Sequence, residues 1–214
     1  MAITTADVQT WADLAARNLI PPNPRLLEIG EANWYGDVKP DPRDIGGEST
    51  LKRPGFPDGY TGFNSPFAVA RSFYRRILNP SAWVAVDLNG TPQALRIDLN
   101  QPLVLPEHLP QQFDVIINTG TGEHIFDQCQ FFRTIHERCA VGGIMFHAAP
   151  WLGWINHGFY CLQPVLFIDL AAANEYETVR KTIWEHDGST TLYVVLRKTV
   201  DKPFCVPMQG RGKG

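Results

Sequence analysis

The sequence has few cysteines, and their spacing is not that of a covalent or metal-binding framework. Its 214 residues include four cysteines, and no two of them form a Cys-x-x-Cys pair. Disulfide-rich secreted domains and zinc sites bring their cysteines into closer groups. The thiols are therefore expected to be reduced. No metal site is predicted, because the histidines also lack the spacing of metal ligands.

Excess positive charge and long apolar runs are missing as well. The formal net charge is -3 and the isoelectric point is about 6.1, whereas phosphate binding requires a basic surface. No apolar run approaches the roughly 18–20 residues of a bilayer span, and the first residues do not resemble a basic and then apolar leader. These absences predict a cytoplasmic protein with no nucleic-acid or membrane partner; they leave its oligomeric state open.

The composition is that of a folded domain. Hydrophobic residues make up 44% of the chain and charged residues 19%, which is too apolar for a disordered chain. This length suits one domain. We therefore predict a single domain over residues 1–200, followed by a tail at 201–214.

Hydrophobic periodicity alternates between the strand and helix patterns along the chain. Helices are predicted at 5–19, 66–78, 124–139 and 164–174. Strands are predicted at 25–30, 83–87, 94–98, 113–118, 144–148, 178–186 and 190–198, with a turn at Val141-Gly142-Gly143. The last two strands are joined by Asp187-Gly188-Ser189, a hairpin signal. This alternation predicts an α/β fold with a mostly parallel sheet and a terminal antiparallel hairpin.

One stretch, residues 33–65, differs from the rest of the chain in composition and periodicity. It is rich in proline and glycine, shows little periodicity and still contains several aromatic residues. Aromatic residues are unusual in flexible linkers. We expect a long ordered loop that is inserted between the first two strands and acts as a lid.

Acidic and polar residues stand where several predicted strands end. Glu28 precedes Gly30, Asp87 closes the second strand, Asp98 closes the third, and Asn118 opens the segment that reaches His124. In an open parallel sheet, ligands bind beyond the carboxyl ends of the strands. A carboxylate there can accept both hydroxyls of a ribose, so these residues are expected to line one site.

Together these pieces resemble the class I S-adenosylmethionine-dependent methyltransferases. The resemblance rests on Leu26-Leu-Glu-Ile-Gly30, Val84-Ala-Val-Asp87, Ile97-Asp-Leu99, Phe113-Asp-Val-Ile-Ile117 and Val141-Gly-Gly-Ile144. It implies a doubly wound, seven-stranded, Rossmann-like sheet and S-adenosylmethionine as cofactor. It also implies that Glu28 and Gly30 approach the amino acid moiety of the cofactor, that Asp87 binds the ribose, and that Asp98 and Leu99 contact the adenine.

The same resemblance implies roles for the segments later in the chain. Asn118 and Gly120 are expected to contact the cofactor, and Glu123 the acceptor, because their segment lies where the family has its active-site wall. The stretch from Trp151 to Tyr160 resembles the segment that covers the acceptor pocket. The first loop departs from the family, since Glu31, Ala32 and Asn33 stand where further glycines are usual.

The candidate catalytic residues are His124 and His157. Methyl transfer requires alignment of the acceptor and removal of its proton, and a neutral imidazole suits that task. His147, inside a predicted strand, is expected to be a core residue. Aromatic residues at Trp34, Tyr35, Trp151 and Tyr160 are candidates for the acceptor pocket, with core packing as the alternative.

The predicted function is methyl transfer from S-adenosylmethionine to an oxygen or nitrogen of a small-molecule acceptor. Two alternatives stay open. One is a non-catalytic cofactor-binding module of the same fold, which the altered glycine loop permits. The other is a dinucleotide-dependent oxidoreductase, for which the first turn lacks the G-x-G-x-x-G fingerprint.

Overall fold

The computed structural model describes residues 2–35 and 66–208. Their elements are, in chain order, β1 (Ala2–Ile3), α1 (Thr5–Ala16), β2 (Arg25–Ile29), β3 (Asn33–Trp34), α2 (Pro66–Leu78), β4 (Ala82–Val86), β5 (Phe113–Thr119), α3 (Gln128–Arg138), β6 (Cys139–Leu152), α4 (Pro164–Asn174), β7 (Tyr176–His186) and β8 (Ser189–Lys198). None of the described helices is long and apolar enough to cross a bilayer.

Six of the strands form one sheet in the order β4-β2-β5-β6-β8-β7. The first four are parallel, and β8 runs antiparallel to both of its neighbours. A two-residue turn at Asp187 and Gly188, whose φ angles are 46° and 77°, joins β7 to β8. The predicted α/β fold class and its terminal hairpin are therefore confirmed.

The described part of the sheet has six strands where the sequence predicted seven, because residues 94–98 pair too briefly to form a strand. Leu95 makes a single parallel bridge with Val86. Its amide donates to Ala85, and its carbonyl accepts from Asp87. The chain then turns away, since the carboxylate of Asp98 accepts from the amide of Asn100 at 2.9 Å. The bridge occupies the position of the missing edge strand.

Helices cover both faces of the sheet, each over its own apolar core. On one face, α3 and α4 place Phe131, Ile135 and Phe167 against residues such as Leu27 and Ile29. On the other face, α1 and α2 place Trp11, Leu14 and Tyr74 against residues such as Leu26 and Phe146. Consecutive residues of β2 thus point into opposite cores, as strand geometry requires. The sheet is doubly wound, as predicted.

Several predicted boundaries were wrong: the strand predicted at 144–148 extends over Cys139–Leu152, and three further differences have local reasons. Helix α1 ends at Ala16 instead of 19, because Asn18 has a left-handed φ of 53°. The helix predicted at 124–139 is divided into a 3-10 turn at Gly122–His124 and α3, whose N-cap Asp127 accepts from Gln130. The turn predicted at Val141-Gly142-Gly143 lies within β6, beside an irregularity in its pairing with β5.

The predicted insertion lies mostly outside the described residues. Its first two residues, Asn33 and Trp34, form β3, which pairs in parallel with β1. Residues 36–65 are not described, so the lid remains a prediction.

Candidate functional site

The parallel register brings the ends of three strands to one edge of the sheet. Ile29 at the end of β2 is paired with Val86 on one side and Asn118 on the other. Gly30, Asp87 and the chain that follows β5 therefore emerge side by side. This edge is the usual place for a ligand in an open α/β sheet.

The turn after β2 is held from within by Glu28. Gly30 has a φ of +77°, a conformation that favours glycine. One carboxylate oxygen of Glu28 accepts from the amide of Ala32 at 2.8 Å, and the other accepts from the indole of Trp83 at 3.0 Å. Burial raises the pKa of Glu28 to about 7. Both oxygens are thus engaged inside the protein, and Glu28 fixes the turn beside which a cofactor would lie.

Asp87 follows β4 and binds the neighbouring backbone. Its two oxygens accept from the amides of Glu31 and Asn89, each at 2.8 Å. A carboxylate has about four lone-pair sites, so Asp87 retains capacity for two further donors. Its orientation is fixed by two loops at once.

The next two predicted cofactor residues differ in exposure. Asp98 is exposed, and its bonds to the backbone and side chain of Asn100 lower the pKa of its carboxyl group. Leu99 is 3% exposed and belongs to the core. Both lie beyond the edge of β4, past the Leu95 bridge.

Asn118 shapes the loop that follows β5. It is buried, accepts from the amide of Gly122 at 3.0 Å and lies 3.1 Å from Nδ1 of His147. Burial lowers the pKa of His147 to about 3, so this imidazole is neutral and its Nδ1 can accept from the Asn118 amide. His147 is therefore a core residue, as expected. Gly120, with a φ of +69°, then directs the chain to Glu123 and His124.

A cavity of about 440 Å³ opens at this loop, and its size is typical of ligand pockets. Five of the predicted site residues line it: Tyr35, Gly120, Glu123, His124 and His157. Other lining residues were not foreseen as site residues, among them Thr4, Asp7, Asn33, Trp154 and Tyr193. Most of these come from α1 and its N-cap, from β8, or from the loop after β6.

Glu123, His124 and His157 form the polar cluster of the cavity. Oε1 of Glu123 lies 3.4 Å from Nε2 of His157 and 3.9 Å from Nε2 of His124. Burial raises the pKa of Glu123, whereas burial and the neighbouring His157 lower that of His124. One possible ligand atom from each of the three lies within 4.8 Å of the others, so the cluster could hold a metal ion. Spacing along the sequence did not indicate this, because the fold brings His157 in from another loop.

Backbone hydrogen bonds hold that loop in place. The carbonyl of Glu123 accepts from the amides of Phe159 and Tyr160. The indole of Trp154 donates to the carbonyl of Thr190 at 2.8 Å, and its ring centroid lies 4.8 Å from that of His157. The loop after β6 is thereby attached both to the 3-10 turn and to β8.

Three aromatic candidates lie outside the described lining of the cavity. Trp34 packs on Phe73, with ring centroids 5.6 Å apart. Trp151 donates to Gln163, and Tyr160 donates to the carbonyl of Phe126. Each packs against one of the two cores. Their acceptor contacts remain predictions.

Asp7 is one of the lining residues that the sequence analysis did not identify. It lies in the first turn of α1, whose N-cap is Thr4, and it completes the capping box. The hydroxyl of Tyr193 donates to Asp7 across 186 positions of sequence. No local sequence pattern can predict a contact between residues so far apart in the chain.

Comparisons with known proteins identify the fold. No protein-family model matches the sequence, and no curated protein is similar to it. Among solved structures, a Burkholderia thailandensis 1,6-didemethyltoxoflavin-N1-methyltransferase, with bound 1,6-didemethyltoxoflavin and S-adenosylhomocysteine, is similar at a TM-score of 0.53 and 14% identity; the match covers 90% of this chain and 77% of that chain. A candidate methyltransferase from Bacillus halodurans is similar at a TM-score of 0.54 and 11% identity; the match covers 91% of this chain and 100% of that chain.

Proposed function

We propose that this chain, whose fold is that of the class I S-adenosylmethionine-dependent methyltransferases, binds S-adenosylmethionine and transfers its methyl group to a small-molecule acceptor. The observation that carries the proposal is Asp87, held by two backbone amides at the end of β4 beside the Gly30 turn. The similar Burkholderia thailandensis enzyme was solved with S-adenosylhomocysteine bound, which supports the same cofactor here.

The cofactor would lie along the edge where β2, β4 and β5 end. Asp87 would accept the ribose hydroxyls, Asp98 and Leu99 would flank the adenine, and Gly30 and Gly120 would allow close approach of the methionine part. Glu28 and Asn118 would act indirectly, because their polar atoms already hold the two loops. The cofactor would supply an electrophilic methyl group on sulfur.

The acceptor would occupy the cavity beside Glu123. In the proposed reaction, a lone pair of the acceptor attacks the methyl carbon in line with the carbon–sulfur bond, and the electrons of that bond stay on sulfur. A proton leaves the acceptor, and His124 or His157 would take it. Tyr35 lines the same cavity, while Trp34, Trp151 and Tyr160 would support its walls or its covering loop.

Cofactor binding is tested at Asp87. Asp87→Ala should weaken S-adenosylhomocysteine binding by about ten- to a hundredfold for each ribose hydroxyl that loses its acceptor, because a hydrogen bond to a charged group contributes about 1.5–3 kcal/mol. Calorimetry on the wild type, Asp87→Ala and Asp87→Asn measures this. Glu107→Ala, at an exposed position, is the matched control. Unchanged affinity in both Asp87 variants would remove Asp87 from the site, and NAD binding in place of S-adenosylhomocysteine would favour the oxidoreductase alternative.

The proton acceptor is tested at the two histidines. His124→Asn or His157→Asn should lower turnover by roughly 10²–10⁴ and leave cofactor affinity nearly intact. His186→Asn is the control, since His186 is exposed on the terminal hairpin. Methylated product from a panel of amines, phenols and sugars is measured by mass spectrometry, with and without EDTA. Turnover that EDTA abolishes would assign the cluster to a metal ion, and cofactor binding with no product would support a non-catalytic module.

A further inference from the structure

Two carboxylates in the wall of the cavity each retain an oxygen without a donor. Asp7 stands at the first turn of α1, and Glu123 at the 3-10 turn after β5. Both residues line the cavity. Within the described residues, Oδ1 of Asp7 and Oε2 of Glu123 are buried and have no hydrogen-bond partner. A buried acceptor in this state costs free energy until a donor reaches it.

The hydrogen bonds of Asp7 are gathered on one oxygen. Oδ2 accepts from the amide of Thr4 at 2.9 Å, from the hydroxyl of Thr4 at 2.6 Å and from the hydroxyl of Tyr193 at 3.1 Å. These three donors fix the carboxylate, and Oδ1 has no donor among the described residues. The side chain is fully buried, and that burial raises its pKa to about 6. The group is still mostly ionised at neutral pH.

Glu123 is positioned by the two histidines and by its own backbone. Its side chain is 1% exposed, and Oε1 faces the two histidines. Its own backbone carbonyl binds the loop that carries His157. The carboxylate is therefore held in place while Oε2 lacks a donor.

Electron-rich rings complete the described wall. Tyr35, Trp154 and Tyr193 line the same cavity as the two carboxylates. Aromatic faces attract organic cations, and they do so more strongly where water is excluded. A ligand with several N–H donors and a positive charge would satisfy both the carboxylates and the rings.

We propose that the acceptor of this enzyme is an amine, whose nitrogen is held between the carboxylates of Asp7 and Glu123. The inference rests on the proposed function and names its substrate class. A protonated amine, R–NH₃⁺, donates to both carboxylates and passes one proton to a neutral histidine. The resulting R–NH₂ attacks the methyl carbon of S-adenosylmethionine as the carbon–sulfur bond breaks. The products are R–NH₂CH₃⁺, S-adenosylhomocysteine and the protonated histidine.

The test compares amines with alcohols of the same carbon skeleton. The probes are 2-phenylethylamine with 2-phenylethanol, and benzylamine with benzyl alcohol. Their affinities are measured by ligand-detected NMR, with and without S-adenosylhomocysteine. In the wild type, each amine should bind at least tenfold more tightly than its alcohol. Asp7→Asn and Glu123→Gln should each reduce that ratio below threefold, whereas Glu107→Gln should keep it.

The outcomes separate this inference from the proposed function. Equal binding of amine and alcohol, no binding of either amine, or a ratio that survives both substitutions would overturn the inference. Loss of S-adenosylhomocysteine affinity in the variants with an unchanged ratio would also overturn it, since the carboxylates would then meet the ammonium group of the cofactor. A wild type that binds the amines but not S-adenosylhomocysteine would instead refute the proposed function. Circular dichroism checks that each variant is folded.

Discussion

Gly30 lies where the backbone and a neighbouring side chain both exclude a larger residue. Its φ is +77°, and a Cβ placed on it would lie 2.0 Å from Oγ1 of Thr121. Gly142 has a similar φ of +83°, but nothing lies within 4 Å of its Cβ position. Gly142→Ala should therefore cost about 1–2 kcal/mol of unfolding free energy through backbone strain alone. Gly30→Ala should cost about 1–3 kcal/mol more, because overpacking is added to the strain.

Urea unfolding of the two variants measures that difference. A second comparison isolates the contact, since Thr121→Ala introduced into Gly30→Ala should recover part of the loss. Equal stabilities of Gly30→Ala and Gly142→Ala would show that Thr121 moves aside without cost.

Residues differ in how far the sequence could predict their positions. The position of Asp87 at the end of β4 was predictable, because a strand signal, a carboxylate and a following turn are adjacent in the chain. Glu28 was predicted correctly at the end of β2, but its side chain accepts a hydrogen bond from Trp83 of the neighbouring strand. A contact between residues so far apart in the chain cannot be predicted from the local sequence. Asp7 could not be found as a site residue, since its partner Tyr193 lies on β8.

The first turn of helix α1 also forms part of the cavity wall, through Thr4 and Asp7. Thr4 caps it, and its hydroxyl and amide both donate to Asp7. Thr4→Ala should lower the unfolding free energy by about 1 kcal/mol, as for other lost N-caps. It should also weaken amine binding, because Asp7 loses a donor that holds it. Asp127→Ala, which removes the N-cap of α3, should cost a similar free energy and leave amine affinity unchanged.

Thr4→Ser serves as the rescue, since serine keeps the capping hydroxyl. Chemical unfolding and amine titration are measured on all three variants. If Thr4→Ala and Asp127→Ala changed amine affinity equally, α1 would have no particular connection with the cavity.

At the level of elements, long periodic segments and the terminal hairpin were predictable, and the pairing at the β4 edge of the sheet was not. Helix α2 begins and ends as predicted, at Pro66–Leu78. Residues 94–98 have the apolar pattern of a strand, but Asp98 binds the amide of Asn100 and ends the pairing after one bridge. In the same way, the histidine pair formed by His124 and His157 depends on how two loops meet.

For the whole molecule, buried ionisable groups impose a pH dependence on stability. Burial raises the pKa of Glu28 from 4.5 to about 7, although Arg71 opposes the shift. The folded state then holds this proton more tightly than the unfolded state does. The stabilisation is complete below pH 4.5 and disappears as the pH rises through 7. Burial lowers the pKa of His147 to about 3, which acts in the opposite direction, because stability is lost as the pH falls through the ordinary histidine value near 6.5.

The window from pH 6.5 to 8 spans the titration of Glu28, and comparison with a variant at position 28 removes the contribution of the histidines, which both proteins share. Across it, titration of Glu28 should remove on the order of 1 kcal/mol of unfolding free energy from the wild type. Glu28→Gln should be less stable throughout, because glutamine offers one acceptor oxygen where two donors converge. Its stability should nevertheless decline less over the window, since residue 28 no longer titrates. Urea unfolding at pH 6.5, 7.25 and 8 measures both slopes, and the exposed Glu107→Gln should follow the wild type. Parallel curves for the wild type and Glu28→Gln would contradict the titration of Glu28 in the folded protein between pH 6.5 and 8.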